Sequence, residues 1–179
     1  MTLLEGRAAP TTVTPADVCA LLLGRIRDAL VLCGRDVQTA YVAAGSVAWD
    51  NCCGQLVVAP ERVYRTARFP LEGPDENGCF DGLIALDLVV LLLRCVPVIE
   101  DDGSVPDDLE LSAAYTGILA DAAVIWDVLA STQLPEWWER ANENQVYVGA
   151  EGGCIGVETR VTVGVDAELW CAQCAPEEG

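Results

Sequence analysis

The chain has no lysine and no histidine, and its ten positive charges are all arginine. Without histidine there is no Ser-His-Asp or Cys-His nucleophile, no imidazole acid or base and no His-containing zinc site. Without lysine there is neither a P-loop phosphate clamp nor a Schiff base. Clustered cations are also scarce: 28 acids leave a net charge of −18, which argues against a protein that grips nucleic-acid phosphates. The N-terminus, MTLLEGRAAP, lacks the basic start and long apolar core of a signal peptide, and no internal repeat or low-complexity segment interrupts the chain.

Cysteine, by contrast, is abundant. Nine residues is an odd number, so complete internal pairing is impossible. With a reducing compartment expected, most of them read as small buried apolar residues, with one or two structural disulfides or a metal site as the alternatives. Cys171 and Cys174 form a CxxC, and Cys52 and Cys53 are adjacent, a poor half of a four-thiolate zinc site.

The organising stretch is Gly82 to Val98, in which thirteen of seventeen residues are Ala, Val, Leu, Ile or Cys. Apolar residues fill both alternating sets, which predicts a strand covered on both faces over Leu83 to Cys95, in the middle of a sheet. Asp87 and Arg94 within it would each cost about 2.5–3.5 kcal/mol in a bilayer, so it is not a membrane span.

In chain order, residues 1–14 form a polar lead. Thr14-Pro15-Ala16-Asp17 is a helix start, followed by Val18, Leu21, Leu22, Ile26 and Leu30 at spacings of three and four, with Gly34 as the stop: a helix over 15–33. Arg25, Arg27 and Arg35 read as solvated charge near its end. Thr39 to Trp49 and Gln55 to Thr66 are strand-like, with Asp50 to Gly54 between them as a turn signal, and Pro60 predicts an edge or a bulge. Residues 67–79 read as a long exposed loop reaching beyond the subunit.

An acidic turn, Glu100 to Asp108, leads into a second helix over 109–131, carried by Leu111, Tyr115, Ile118, Ala122, Ile125 and Leu129. Asp121 and Asp127, six residues apart, fall on different faces and read as solvated or capping. Residues 135–144 read as a connector, in which Trp137 and Trp138 either anchor a protein interface or cover the core. A hairpin over 145–165 turns at Gly152-Gly153, with Val161, Val163 and Val165 on one side and Arg160 and Thr162 on the other. Residues 166–179 form an acidic tail. The fold expected is α+β, in the order α-β-β-β-α-β-β, with two helices on one face of a mixed or antiparallel sheet of about four to five strands over 15–165.

Four strings carry a resemblance: Ala48-Trp49-Asp50-Asn51-Cys52-Cys53-Gly54-Gln55-Leu56, Arg94-Cys95-Val96-Pro97, Asp121-Ala122, and Gly152-Gly153-Cys154-Ile155-Gly156-Val157-Glu158. Together they resemble neck proteins of long-tailed phages that infect actinobacteria, most of all the tail terminator, over residues 14–165. The resemblance implies a non-enzymatic virion protein, assembled in the host cytoplasm. It implies a hexameric ring that caps the major tail tube protein and joins it to the head-to-tail stopper, with genomic DNA passing through the lumen unbound. No cofactor, metal or membrane is implied. An acidic lumen would repel phosphates, and Arg62, Arg65, Arg68, Trp137 and Trp138 are the expected subunit-interface residues. Within the class the alternatives are a nearly all-β stopper or a nearly all-α adaptor. Outside it, the alternative is a cytosolic thiol or metal-binding protein using Cys171 and Cys174.

Overall fold

The computed structural model describes residues 13–45, 53–73, 82–99, 103–131, 135 and 138–167. Helix α1 spans Pro15–Leu32. Its start is a capping box: the Asp17 N–H donates to Thr14 Oγ1 at 3.2 Å, and the Thr14 N–H donates to the Asp17 carboxylate at 2.9 Å. The Thr14 hydroxyl also donates to the Asp17 carboxylate at 2.6 Å, and this bond, with that of the Thr14 N–H, holds the Asp17 carboxyl below its ordinary pKa. The helix closes in a Schellman pattern around Gly34 (φ +67°): the Gly34 N–H donates to Val31 O and the Arg35 N–H to Leu30 O. Val18, Leu22, Ile26 and Leu30 face inward and are buried.

Strands β1 (Thr39–Val42), β2 (Gln55–Thr66), β3 (Leu83–Cys95), β4 (Glu139–Glu151) and β5 (Cys154–Asp166) make one sheet in the order β1-β2-β3-β5-β4. Helix α2 (Asp108–Ala130), capped by Asp107 and Glu110, lies between β3 and β4 in sequence. β3 is central, as its doubly apolar pattern predicts. Its Leu86, Leu88, Val90 and Leu92 join Leu56 and Val58 of β2 and Val157, Val161 and Val163 of β5 under the two helices. Each such side chain, fully buried, contributes about 1.5–3 kcal/mol. The opposite set, Leu91 and Leu93, forms a small second cluster with Cys154. α2 also has the length and hydropathy of a membrane span, yet Ile118, Ala122, Ile125 and Leu129 pack it on the sheet.

The β2–β3 register shifts between Pro60 and Arg62, the bulge that Pro60 predicts. Gly152 (φ +59°) and Gly153 (φ +81°) make the β4–β5 turn, a conformation with positive φ at both centres.

Four expectations are corrected. The first strand-like run pairs only over Thr39–Val42, and in parallel with β2 rather than across a turn; of the run, residues 46–49 lie outside the described residues. The connector expected to reach 144 is strand from Glu139, because β4 is an edge strand whose bulged, polar first half shows no alternation. Of the loop expected over 67–79, residues 67–73 do not reach outward, and 74–79 lie outside the described residues. Tyr64 Oη donates to Pro70 O at 2.8 Å, Thr66 Oγ1 donates to Leu71 O at 2.6 Å, and the Phe69 ring lies over Gly164, folding the turn back on the sheet. Finally, residues 166–179 were expected to lie outside the domain, but Asp166 ends β5 and Ala167 is buried; the remainder lies outside the described residues.

Candidate functional site at one end of the sheet

The Schellman turn after α1 delivers Arg35 toward α2, and the last turn of β3 delivers Arg94 to the same place. Both guanidinium groups converge on Asp121, whose side chain is fully buried. Arg94 Nε donates to Asp121 Oδ2 at 2.9 Å, and Arg35 Nε donates to Oδ1. Arg94 Nη2 also reaches Asp121 Oδ1 at 3.3 Å, and further donors go to backbone: Arg94 Nη1 to Asp36 O and Nη2 to Arg35 O, each at 2.7 Å, and Arg35 Nη2 to Gly117 O. One carboxylate thus ties the α1 exit, β3 and α2 together, and a shallow cleft of about 340 Å³ opens beside it. This corrects the solvated roles expected for Asp121 and Arg35. A buried carboxylate is tolerable only because two cations and their fixed geometry replace its water.

Three cysteines lie in one row across the same end. Cys95 of β3 faces Cys154 of β5 in register, and on its other side Cys53 stands two residues before the Gln55–Leu93 pair. Cys53 and Cys95 are joined by a disulfide with Cα atoms 4.7 Å apart, and Cys154 is itself disulfide-bonded. These three are therefore not the inert thiols expected of them. Cys19 does fit that expectation: it is buried, and burial pushes its thiol up to about 11.

Backbone bonds close this corner. The Gly54 N–H donates to Leu93 O at 3.1 Å, the Val96 N–H to Gly153 O at 2.9 Å, and the Gln38 N–H to Gly54 O at 2.7 Å. Gly156 is required by close approach, since a Cβ there would stand 2.7 Å from Leu92 O. The described parts of all four quoted strings therefore meet here, although residues 46–52 lie outside the described residues.

The sheet face away from the helices carries an ionic ladder. Arg62 pairs with Asp87 at 2.9 Å and Glu72 at 3.0 Å, and its guanidinium sits 4.3 Å from the Tyr64 ring centroid. The hydrogen bond to Asp87, helped by the Asp87 and Glu72 charges, raises the Arg62 pKa, and burial beside Asp87 raises that of Tyr64. Farther along, Arg160 bridges Glu61 at 2.9 Å and Glu158 at 2.7 Å.

Of the interface residues read from sequence, Arg62, Arg65 and Arg68 do not form one row. A spacing of three on a strand alternates faces: Arg62 opposes Asp87 on the ladder side, and Arg65 opposes Ile84 on the helix side. Arg62 already meets acids of its own chain, and Arg68 is exposed at the start of the turn that follows. Of the two roles read for Trp138, the structure gives the core one rather than the interface, since it is buried in the main cluster. Trp137, Cys171 and Cys174 lie outside the described residues. Sequence reading missed the Asp121 cluster, for which the one available signal was that Arg94 and Asp121 each sit within an otherwise apolar segment. No protein-family model matches the chain, and no curated protein is significantly similar to it.

Proposed function

We propose that this chain is a non-enzymatic structural subunit of a phage neck, a tail-terminator-like protein that closes into a ring, caps the tail tube and passes DNA through an acidic lumen. The observation that carries the reading is convergence. Strings that resemble the tail terminator lie as far apart in sequence as Gly54 and Gly156, yet they share one ion cluster, one cysteine row and one set of backbone bonds. Their role is thus to build the fold, as a structural protein requires. Two helices on a five-stranded sheet also suit a terminator better than a nearly all-β stopper or a nearly all-α adaptor. A net charge of −18 favours a wall that DNA slides past. The ring would sit in the virion between the tube and the head connector, without a cofactor.

The test is direct imaging. Electron microscopy of the purified protein, alone and with tube protein, should show closed rings and rings seated on tube ends. Monomers under both conditions, or a lumen lined by arginine, would refute the reading.

A further inference from the structure

The two flanks of the sheet are unlike each other. On one, α2 turns Tyr115, Leu119 and Trp126 outward at spacings of four and seven, and edge strand β4 leaves Tyr147 half exposed beside it and Val146 half exposed on its other face. Tyr115, Leu119, Tyr147 and Gly149 line an apolar groove of about 190 Å³ between them. On the opposite flank, the end of α1 exposes Val31 and Leu32, the latter 87% accessible, and edge strand β1 exposes Tyr41 and Val42. Isolated exposed apolar residues are ordinary, but two clusters on opposite edges of one sheet are not.

Charge separates the flanks in the same way. Leaving aside Asp121, which is neutralised in the core, α2 and β4 hold six acids and one arginine, whereas α1 and β1 hold two acids and two arginines. The α2/β4 flank therefore repels its like, and the charge-balanced α1/β1 flank, with Arg25 and Arg27, meets it at lower cost. Strand direction agrees: β1 runs parallel to β2, and the three pairings from β2 to β4 are antiparallel, so β1 and β4 run in opposite senses. A second copy turned about an axis along the strands brings its β1 edge antiparallel to the first copy's β4, the sense in which two edges pair directly.

We infer that these flanks are the two halves of one heterologous contact, the α2/β4 side of one copy receiving the α1/β1 side of the next. This rests on the ring reading above and specifies which surfaces close the ring. Apolar side chains would fill the groove, and the arginine-bearing edge would face the acidic one.

The test uses two full-length variants, Leu119→Glu with Trp126→Glu on one flank and Leu32→Glu with Val42→Glu on the other. All four residues are exposed, so circular dichroism and melting should match wild type. Sedimentation velocity is then run with and without tube protein. Wild type should form rings, each variant alone should stay monomeric, and an equimolar mixture should give one-to-one dimers and nothing larger, because each variant keeps one intact half. Wild-type rings with a mixture that stays monomeric, or a variant that still forms rings, would overturn this pairing and leave the ring reading standing. Wild type that remains monomeric with tube protein present would end both.

Discussion

Asp121 on α2 and Arg94 on β3 are joined by a 2.9 Å charge-assisted bond at a carboxylate with no solvent exposure. Arg35 completes the group from the α1 exit. Removing the one acid leaves two partly buried cations without a counter-charge, and breaking such a group costs about 3–5 kcal/mol. Asp121→Asn should therefore lower the urea midpoint strongly at an unchanged m-value. A midpoint within error of wild type would show that the cluster is not needed for stability.

The disulfide between Cys53 and Cys95 closes a loop with a sequence separation of 42. Chain-entropy reasoning places its contribution at about 4 kcal/mol, an amount native strain can reduce. Cys53→Ala should melt well below wild type under oxidising conditions, and the gap should narrow in excess reductant. Equal melting without reductant would remove the covalent link from the account.

Gly156 and Gly149 offer a matched pair. A Cβ at Gly156 meets Leu93 Cδ2 at 2.5 Å and the Leu92 carbonyl at 2.7 Å, whereas at Gly149 nothing lies within 4 Å. Gly156→Ala should lose about 1–3 kcal/mol through forced backbone movement, and Gly149→Ala should be neutral or slightly stabilising. Denaturant titration of both would decide it, and equal effects would contradict the close approach.

The capping box gives a pH signature. The folded pKa of Asp17 is depressed, first by the Thr14 side chain, so its stabilisation is present above the unfolded value and is lost as pH falls through the folded one. Thr14→Ala should cost about 1 kcal/mol at neutral pH, with the difference shrinking on acidification through the carboxylate range. A pH-independent difference would mean that the Asp17 charge is not involved.

Thiol reactivity should separate two cysteines on one helix. Cys19 is buried with its pKa pushed up to about 11, and Cys33 at the α1 C-cap is exposed. Brief alkylation of native protein followed by peptide mass analysis should label Cys33 far ahead of Cys19, since the thiolate is the reactive form. Comparable labelling would indicate that α1 opens readily.

What could be read from the sequence was whatever is local. β3 announces itself because both of its alternating sets are apolar. Helix α1 is marked by Thr14, Pro15, Asp17 and Gly34, and the bulge by Pro60. What escaped depends on partners far along the chain. Asp121 looks solvated until Arg35, 86 residues earlier, and Arg94, 27 residues earlier, are brought to it. β1 carries too few residues to show its parallel pairing, and the first half of β4 hides behind Glu and Asn because an edge strand owes little to the core. Trp138 follows the same rule: an aromatic in a polar string is placed by what packs over it.

The position of the Cys53–Cys95 link also sets how the sheet would respond to load. It stitches β2 to β3 at the Gln55–Leu93 end of their seam, the end opposite the one where the chain itself passes from Thr66 on to Leu83. Under tension on the two outer strand ends, peeling cannot start at the stitched end without breaking a covalent bond, and the other end is closed by the chain, so the ladder is shielded from load while the disulfide is intact. Reduction of this one bond would therefore turn a closed loop of two strands into an ordinary hairpin that opens from its Gln55–Leu93 end.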